Sequence, residues 1–223
     1  SYYFTYREGA TQNAVKDEAG GAVLTPEEIR EIEKISGLLD QSEVEKMIRN
    51  NSIIGLPQEF ELRYADLSSD YFDKSKYKWY LSFSINNKDS YGFADFSVDA
   101  VTGQIEYYYL RTDIYKKLEQ LFVREADKDI ALSLIKSLHP EKMDLIEEDK
   151  SFVEEYAIYK DSSESIYHFK YVRKENGLRF PKNFIYVSFD ASTGKVVSFD
   201  TTWLNVKLEP VGKDVISLDK VYE

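Results

Sequence analysis

One turn sequence occurs twice in this chain, and that recurrence limits the fold more than any other feature. Residues 98–105 read VDAVTGQI and residues 189–196 read FDASTGKV. Each copy stands between β-prone segments, which predicts a tight hairpin. An Asp carboxylate accepts backbone N–H groups two or three residues on, and the Gly adopts a left-handed conformation that a Cβ resists. Three residues between Asp and Gly suit a type I turn closed by a glycine bulge. Asp99 and Gly103 form the first pair and Asp190 and Gly194 the second, each 91 residues after its counterpart. Tandem duplication is the first expectation for the 223-residue chain.

The flanking segments repeat as well. Thr25-Pro26-Glu27-Glu28 opens a helix, with Thr as N-cap and Glu28 closing a capping box, and Ile29, Ile32, Ile35, Leu38 and Leu39 form its apolar stripe. A second box at Ser42–Glu45 starts a short helix with Val44, Met47 and Ile48 inward, stopped at Asn50-Asn51. Alternation then predicts strands with Phe60, Leu62 and Tyr64, with Trp79, Leu81, Phe83 and Ile85, and with Ala94, Phe96 and Val98 on their inner faces. A polar loop over 68–78 separates the first two, and a strand over 105–110 completes a four-stranded meander.

The second half follows the same order. Helical stripes run through Ile114, Leu118, Leu121 and Phe122, then through Ala126, Ile130, Ala131, Leu134, Ile135 and Leu138, and Pro140 ends them. A strand is expected over 152–159. Tyr167, Phe169 and Tyr171 then match Trp79, Leu81 and Phe83, and Ile185, Val187 and Phe189 match Ala94, Phe96 and Val98. The connection over 173–181 reads as a longer hairpin that adds three residues. The predicted class is therefore α+β: two tandem modules, each a helix with an antiparallel sheet. The boundaries are 1–24 (aromatic strand Tyr2–Tyr6 and a polar linker), 25–111, 112–205, and 206–223 as the lead-in to a third module. The chain begins at Ser without Met and is read as a processed product or a piece of a longer array.

Composition removes several function classes. The net charge of −11 disfavours nucleic acid and anionic membrane surfaces as partners. No cysteine is present, which rules out disulfides and thiolate metal sites. No stretch reaches the roughly 18 apolar residues of a spanning helix. The only histidines, His139 and His168, lack metal-ligand spacing and are read as structural or solvent-exposed. Asp99 and Asp190 are better explained by their turns than as paired glycosidase carboxylates. Asp66, Asp70 and Asp73 lack the glycine and distal glutamate of a calcium loop. No catalytic residue, cofactor or metal is expected. Tyr80, Tyr91 and Tyr108 are candidates for an exposed aromatic surface for peptide or glycan, against the alternative that these rings pack between modules.

The order helix, alternating strands and D-A-x-T-G turn is similar to the PepSY-type module. More specifically, residues 25–47 (TPEEIREIEKISGLLDQSEVEKM) and 167–199 (YHFKYVRKENGLRFPKNFIYVSFDASTGKVVSF) resemble the YcdB/YcdC repeat domain, over roughly residues 25–205. The resemblance implies an extracellular or cell-surface protein of Gram-positive type with cystatin-like helix-on-sheet modules. PepSY modules accompany thermolysin-like metallopeptidases in their propeptides, which implies a peptidase-restraining or peptide-binding role. No catalytic residues come with the family. The first half departs from the pattern, since Asn86-Asn87-Lys88-Asp89 stands where the second has Asn176-Gly177 and Phe180-Pro181. A non-enzymatic binding module that meets a protein or peptide, through its edge strand among other routes, leads. A spacer of a cell-wall-associated repeat protein is the alternative, and an enzyme with a hidden site comes third.

Overall fold

The computed structural model describes residues 36–71, 73–116, 124–150 and 166–204. The expected N-terminal strand, the 25–35 part of the first helix, the 152–159 strand and the lead-in at 206–223 lie outside these residues.

The first described helix, α1 (Gln41–Asn50), is capped by Asp40 rather than at Ser42. The Asp40 carboxylate accepts from the Glu43 backbone N–H at 2.8 Å, and the Glu43 carboxylate accepts from the Asp40 N–H at 2.9 Å. Both Asp40–Glu43 and Ser42–Glu45 have capping-box spacing, and the carboxylate is the better-placed acceptor. Val44 and Ile48 are buried, whereas Met47, expected inside, is 42 % exposed. Among the described residues, eight strands follow in a single antiparallel sheet: β1 (Glu61–Ser69), β2 (Tyr77–Asn86), β3 (Tyr91–Asp99), β4 (Ile105–Thr112), β5 (Ile146–Glu148), β6 (Ile166–Glu175), β7 (Leu178–Asp190) and β8 (Lys195–Thr202). Helix α2 (Arg124–Leu138) and a 3-10 turn over Pro140–Leu145 precede β5.

Sheet order is β1-β2-β3-β4-β8-β7-β6-β5. The two halves therefore neither interleave nor close separate cores. Each contributes a meander, and the meanders join where β4 pairs with β8. One apolar cluster runs through both, from Val44, Trp79, Phe83 and Phe96 to Leu134, Phe169, Phe189 and Phe199. Two tandem modules with a helix and a sheet each would be expected to close two small cores; the described residues form one cluster instead. The last strand of each meander carries unpaired backbone groups along its outer edge, and pairing β4 with β8 satisfies both edges at once.

The repeated turns form as their residues predict. Asp99 Oδ1 accepts from the Val101 and Thr102 N–H groups at 3.0 and 2.7 Å, and Gly103 has φ 72°. Asp190 Oδ1 accepts from the Ser192 N–H at 2.8 Å, and Gly194 has φ 67°. Immediately beyond each turn the register slips, between Ser97 and Val98 in one copy and between Ser188 and Phe189 in the other. A β-bulge places two residues against one, so the side chains after it change faces. Ile105 and Val196 are buried before the bulge, and Tyr108 and Phe199 after it. Tyr108, a candidate for the exposed surface, is thus a core residue with 0 % exposure.

A further bulge, between Leu62 and Tyr64, turns Tyr64 outward and brings Ala65 and Leu67 to the core side, and β1 runs on into the start of the expected loop, to Ser69. The 173–181 connection is also tighter than expected. Asn176 (φ 51°) and Gly177 (φ 79°) make a two-residue turn between paired Glu175 and Leu178. Residues 181–183 are passed over between the Val172–Phe184 and Arg173–Phe180 pairs, so Pro181, which has no N–H to donate, falls outside the ladder.

Candidate functional site

The helices cover one face of the sheet. The other face, among the described residues, is built from the alternate side chains of β1–β4 and β6–β8. Asp66, Tyr80, Ser97, Tyr107 and Asp200 form one cross-strand row, and Tyr64, Ser82, Asp95, Tyr109 and Ser198 form the next. Small serines between large tyrosines leave an open groove of about 440 Å³, lined by Tyr64, Tyr80, Ser82, Asp95, Ser97 and Tyr107. Tyr64, Tyr80 and Tyr107 are 55, 38 and 40 % exposed.

Polar contacts order the groove floor. Ser82 Oγ donates to Asp95 Oδ1 at 2.6 Å. Burial, then the charges of Asp95 and Asp200, push the Tyr107 hydroxyl above its ordinary range. Asp200, opposite Tyr107 on β8, is half-buried, and burial followed by the charge of Glu106 raises its carboxyl pKa. Among the described residues, no lysine or arginine forms an ion pair with Asp66, Asp95 or Asp200. The neighbouring cation, Lys78, is already held by Asp70 and Glu106 at 2.6 Å each. Burial opposes its charge, but those two carboxylates outweigh it and hold its pKa above the ordinary value.

Tyr91 lies on the same face but away from the groove. It pairs with Asn86, six residues along β2 from Tyr80, which is about 20 Å at strand rise. Tyr91, 53 % exposed, continues into a chain of rings through Phe93 (6.4 Å) to Tyr109 (5.6 Å from Phe93). Of the three expected aromatics, Tyr80 is at the groove, Tyr91 is on the same face but away from it, and Tyr108 is on the opposite face. Tyr64, Tyr107, Asp95 and Asp200 were not foreseen. The repeat held the missing signal: Tyr108 aligns with Phe199, whose polar neighbours Ser198 and Asp200 mark Phe199 as the inward residue.

The turn residues Asp99, Gly103, Asp190 and Gly194 take structural places at the sheet margin. Asp70 is engaged by Lys78, and the Asp73 carboxylate accepts from Ser75. His168 stacks on Tyr186 at 5.3 Å, with Nδ1 3.0 Å from Ser188 Oγ. His139 is buried on the helix side. Its Nε2 donates to the Ile105 carbonyl at 2.9 Å, Nδ1 accepts from Lys142 Nζ at 2.6 Å, and the ring stacks on Phe199. Among the described residues, no group of three or more acids and histidines is placed to hold a metal. No described helix is long and apolar enough to cross a membrane.

A family model described as "YcdB, YcdC repeated domain" matches residues 43–203, spanning both meanders. Curated proteins give no match. Among solved structures, the chain is similar to the Bacillus megaterium YpeB C-terminal domain, with a TM-score of 0.54 at 12 % identity. That alignment covers 83 % of this chain and 74 % of the other, and at such identity it speaks for the fold alone.

Proposed function

The chain belongs to the YcdB/YcdC repeated-domain family, and we propose that it is a non-enzymatic binding module working outside the cell, where it holds a protein or peptide and restrains a peptidase. The observation that carries this reading is the sheet face left uncovered among the described residues, with its tyrosine-lined groove and half-buried carboxylates. Aromatic rings supply contact area at small entropic cost and are enriched where proteins meet partners. The burial of Ser188, 5 % exposed beside His168, supports the reading that this contact does no nucleophilic chemistry.

The finer architectural reading belongs to the same proposal. We read the halves 25–111 and 112–205 as duplicated modules of PepSY and cystatin type that share one sheet. The recurrence of turn, bulge and inward aromatic in both supports it.

The test is inhibition. The purified chain, added in increasing amount, should lower the activity of a thermolysin-like metallopeptidase in a saturable way, and Tyr80→Ala with Tyr107→Ala should weaken the effect. No inhibition, together with retention on purified cell wall, would replace this reading with that of a structural spacer. Turnover of ester, glycoside or peptide substrates would overturn the non-enzymatic assignment.

A further inference from the structure

The groove on the open sheet face has a definite charge sense. Asp95 and Asp200 flank Tyr107 closely enough for both to oppose its ionisation. Asp66 lies opposite Tyr80 in the same row. These three carboxylates have no ion-pairing lysine or arginine among the described residues, and Lys78 is committed to Asp70 and Glu106. The rings of Tyr64, Tyr80 and Tyr107 stand around them, partly exposed.

A half-buried carboxylate with no ion-pair partner is destabilised relative to water, as the raised pKa of Asp200 reflects, where burial and the charge of Glu106 outweigh the more distant charge of Lys78. An incoming cation recovers that lost interaction. An aromatic ring beside it attracts the same cation through its negative face. A lysine or arginine side chain fits both demands, since its aliphatic stem lies along the rings while its charged end reaches the carboxylates. An anionic ligand would meet like charge, and a neutral glycan would leave the carboxylates unpaired. The net charge of −11 adds long-range attraction for a basic partner.

We propose that this groove binds a lysine or arginine side chain of a basic peptide segment, with Asp95 as the counter-charge in the groove, Asp200 adding negative charge from beyond Tyr107, and Tyr80 and Tyr107 covering the stem. The assignment rests on the reading of the chain as a binding module and names its ligand class.

The experiment titrates the whole chain by calorimetry with three probes: a lysine-bearing peptide with glycine and serine spacers, its glutamate counterpart, and a neutral oligosaccharide. The basic peptide should bind, more weakly at high salt. Asp95→Asn with Asp200→Asn should weaken it by about tenfold, the order of effect of desolvated charge pairs, with the fold retained by circular dichroism. Tyr107→Phe, which keeps the ring, should bind nearly as wild type. Asp129→Asn, on the exposed side of α2, removes a charge elsewhere and should leave affinity unchanged. Equal weakening by Asp129→Asn would reduce the effect to net charge and overturn the site. Binding of the acidic peptide or the oligosaccharide in place of the basic one would overturn the ligand class while leaving a binding module. No binding of any probe overturns the proposed site. Peptidase inhibition retained in that case would leave the module reading standing, and its loss as well would remove both.

Discussion

Tyr108 and Phe199, each five residues after the glycine of a recurring turn, face each other directly across the β4–β8 junction, with ring centroids 6.3 Å apart and planes inclined by 12°. Tyr107 pairs with Asp200 and Tyr109 with Ser198, so the pairing runs symmetrically away from this point. The local two-fold relation of the meanders passes through these two rings. Phe96 stacks on Tyr108 at 5.7 Å and His139 on Phe199 at 5.6 Å, which extends the contact into both halves.

Removing either ring should therefore damage the whole sheet. Tyr108→Ala or Phe199→Ala is expected to cost about 3–5 kcal/mol by large-to-small truncation in a core. The double variant should fall short of additivity by about 0.5–1.5 kcal/mol, as for paired aromatics. Urea unfolding followed by circular dichroism checks both, and wild type should unfold in one transition because the core is shared. Two separate transitions would contradict a shared core.

Tyr108→Phe should behave differently. The Tyr108 hydroxyl is buried without a hydrogen-bond partner among the described residues. Deleting an unsatisfied buried hydroxyl removes a desolvation cost while keeping the ring, so stability should hold or rise. A loss above about 1 kcal/mol in the same urea assay would mean that the hydroxyl has a partner, such as a buried water.

Two glycines separate backbone strain from steric clash. Both Gly103 and Gly177 have positive φ, but a Cβ at Gly103 would lie 2.3 Å from Met47 Cε, whereas at Gly177 it meets nothing within 4 Å. Gly177→Ala should cost only the left-handed strain, about 1 kcal/mol. Gly103→Ala should cost more, and Met47→Ala in the same chain should recover part of the difference. Melting temperatures of the four variants decide the point.

Acidification should weaken the fold through His139. Burial, then the charge of Lys142, lowers its pKa from the ordinary 6.5, so the folded chain keeps the ring neutral. Below pH 6.5 the unfolded chain takes up the proton that the folded chain refuses, and stability falls with pH until the lowered folded value is reached. His139→Gln should flatten the dependence of melting temperature between about pH 5 and 6.5. An unchanged slope would show that His139 does not set it.

Asp200 works in the opposite sense. Its raised carboxyl pKa means that ionisation is less favourable in the folded chain than in the unfolded one. That contribution is destabilising at neutral pH and is relieved as the pH falls toward the ordinary value of 3.8. Asp200→Asn should raise the melting temperature at neutral pH, with a difference that shrinks under acid. A lower melting temperature at neutral pH would show a stabilising partner for the carboxylate.

The elements legible in the sequence were those fixed by neighbours a few residues apart. Asp99 with Gly103, Asp190 with Gly194, the alternation from Trp79 to Ile85 and the stripe from Ala131 to Leu138 each depend on local hydrogen bonding or on the period of burial. Tyr80 and Tyr91 were legible as outward residues for the same reason. The bulges were not, because an extra residue in one strand is defined only against its partner. Tyr64, Tyr107 and Tyr108 were misplaced or left undecided at those points.

By itself, then, the sequence determined that one turn recurs 91 residues on, where the two turns fall, and that no disulfide or thiolate metal site can form. Only the tertiary structure decided that the two copies share one sheet and one core. It also decided that Asp95 and Tyr107 line one groove, with Asp200 beside Tyr107 on the neighbouring strand. The physical reason is that edge pairing and cross-strand proximity join residues tens of positions apart. No local preference encodes those contacts until the chain has folded against itself.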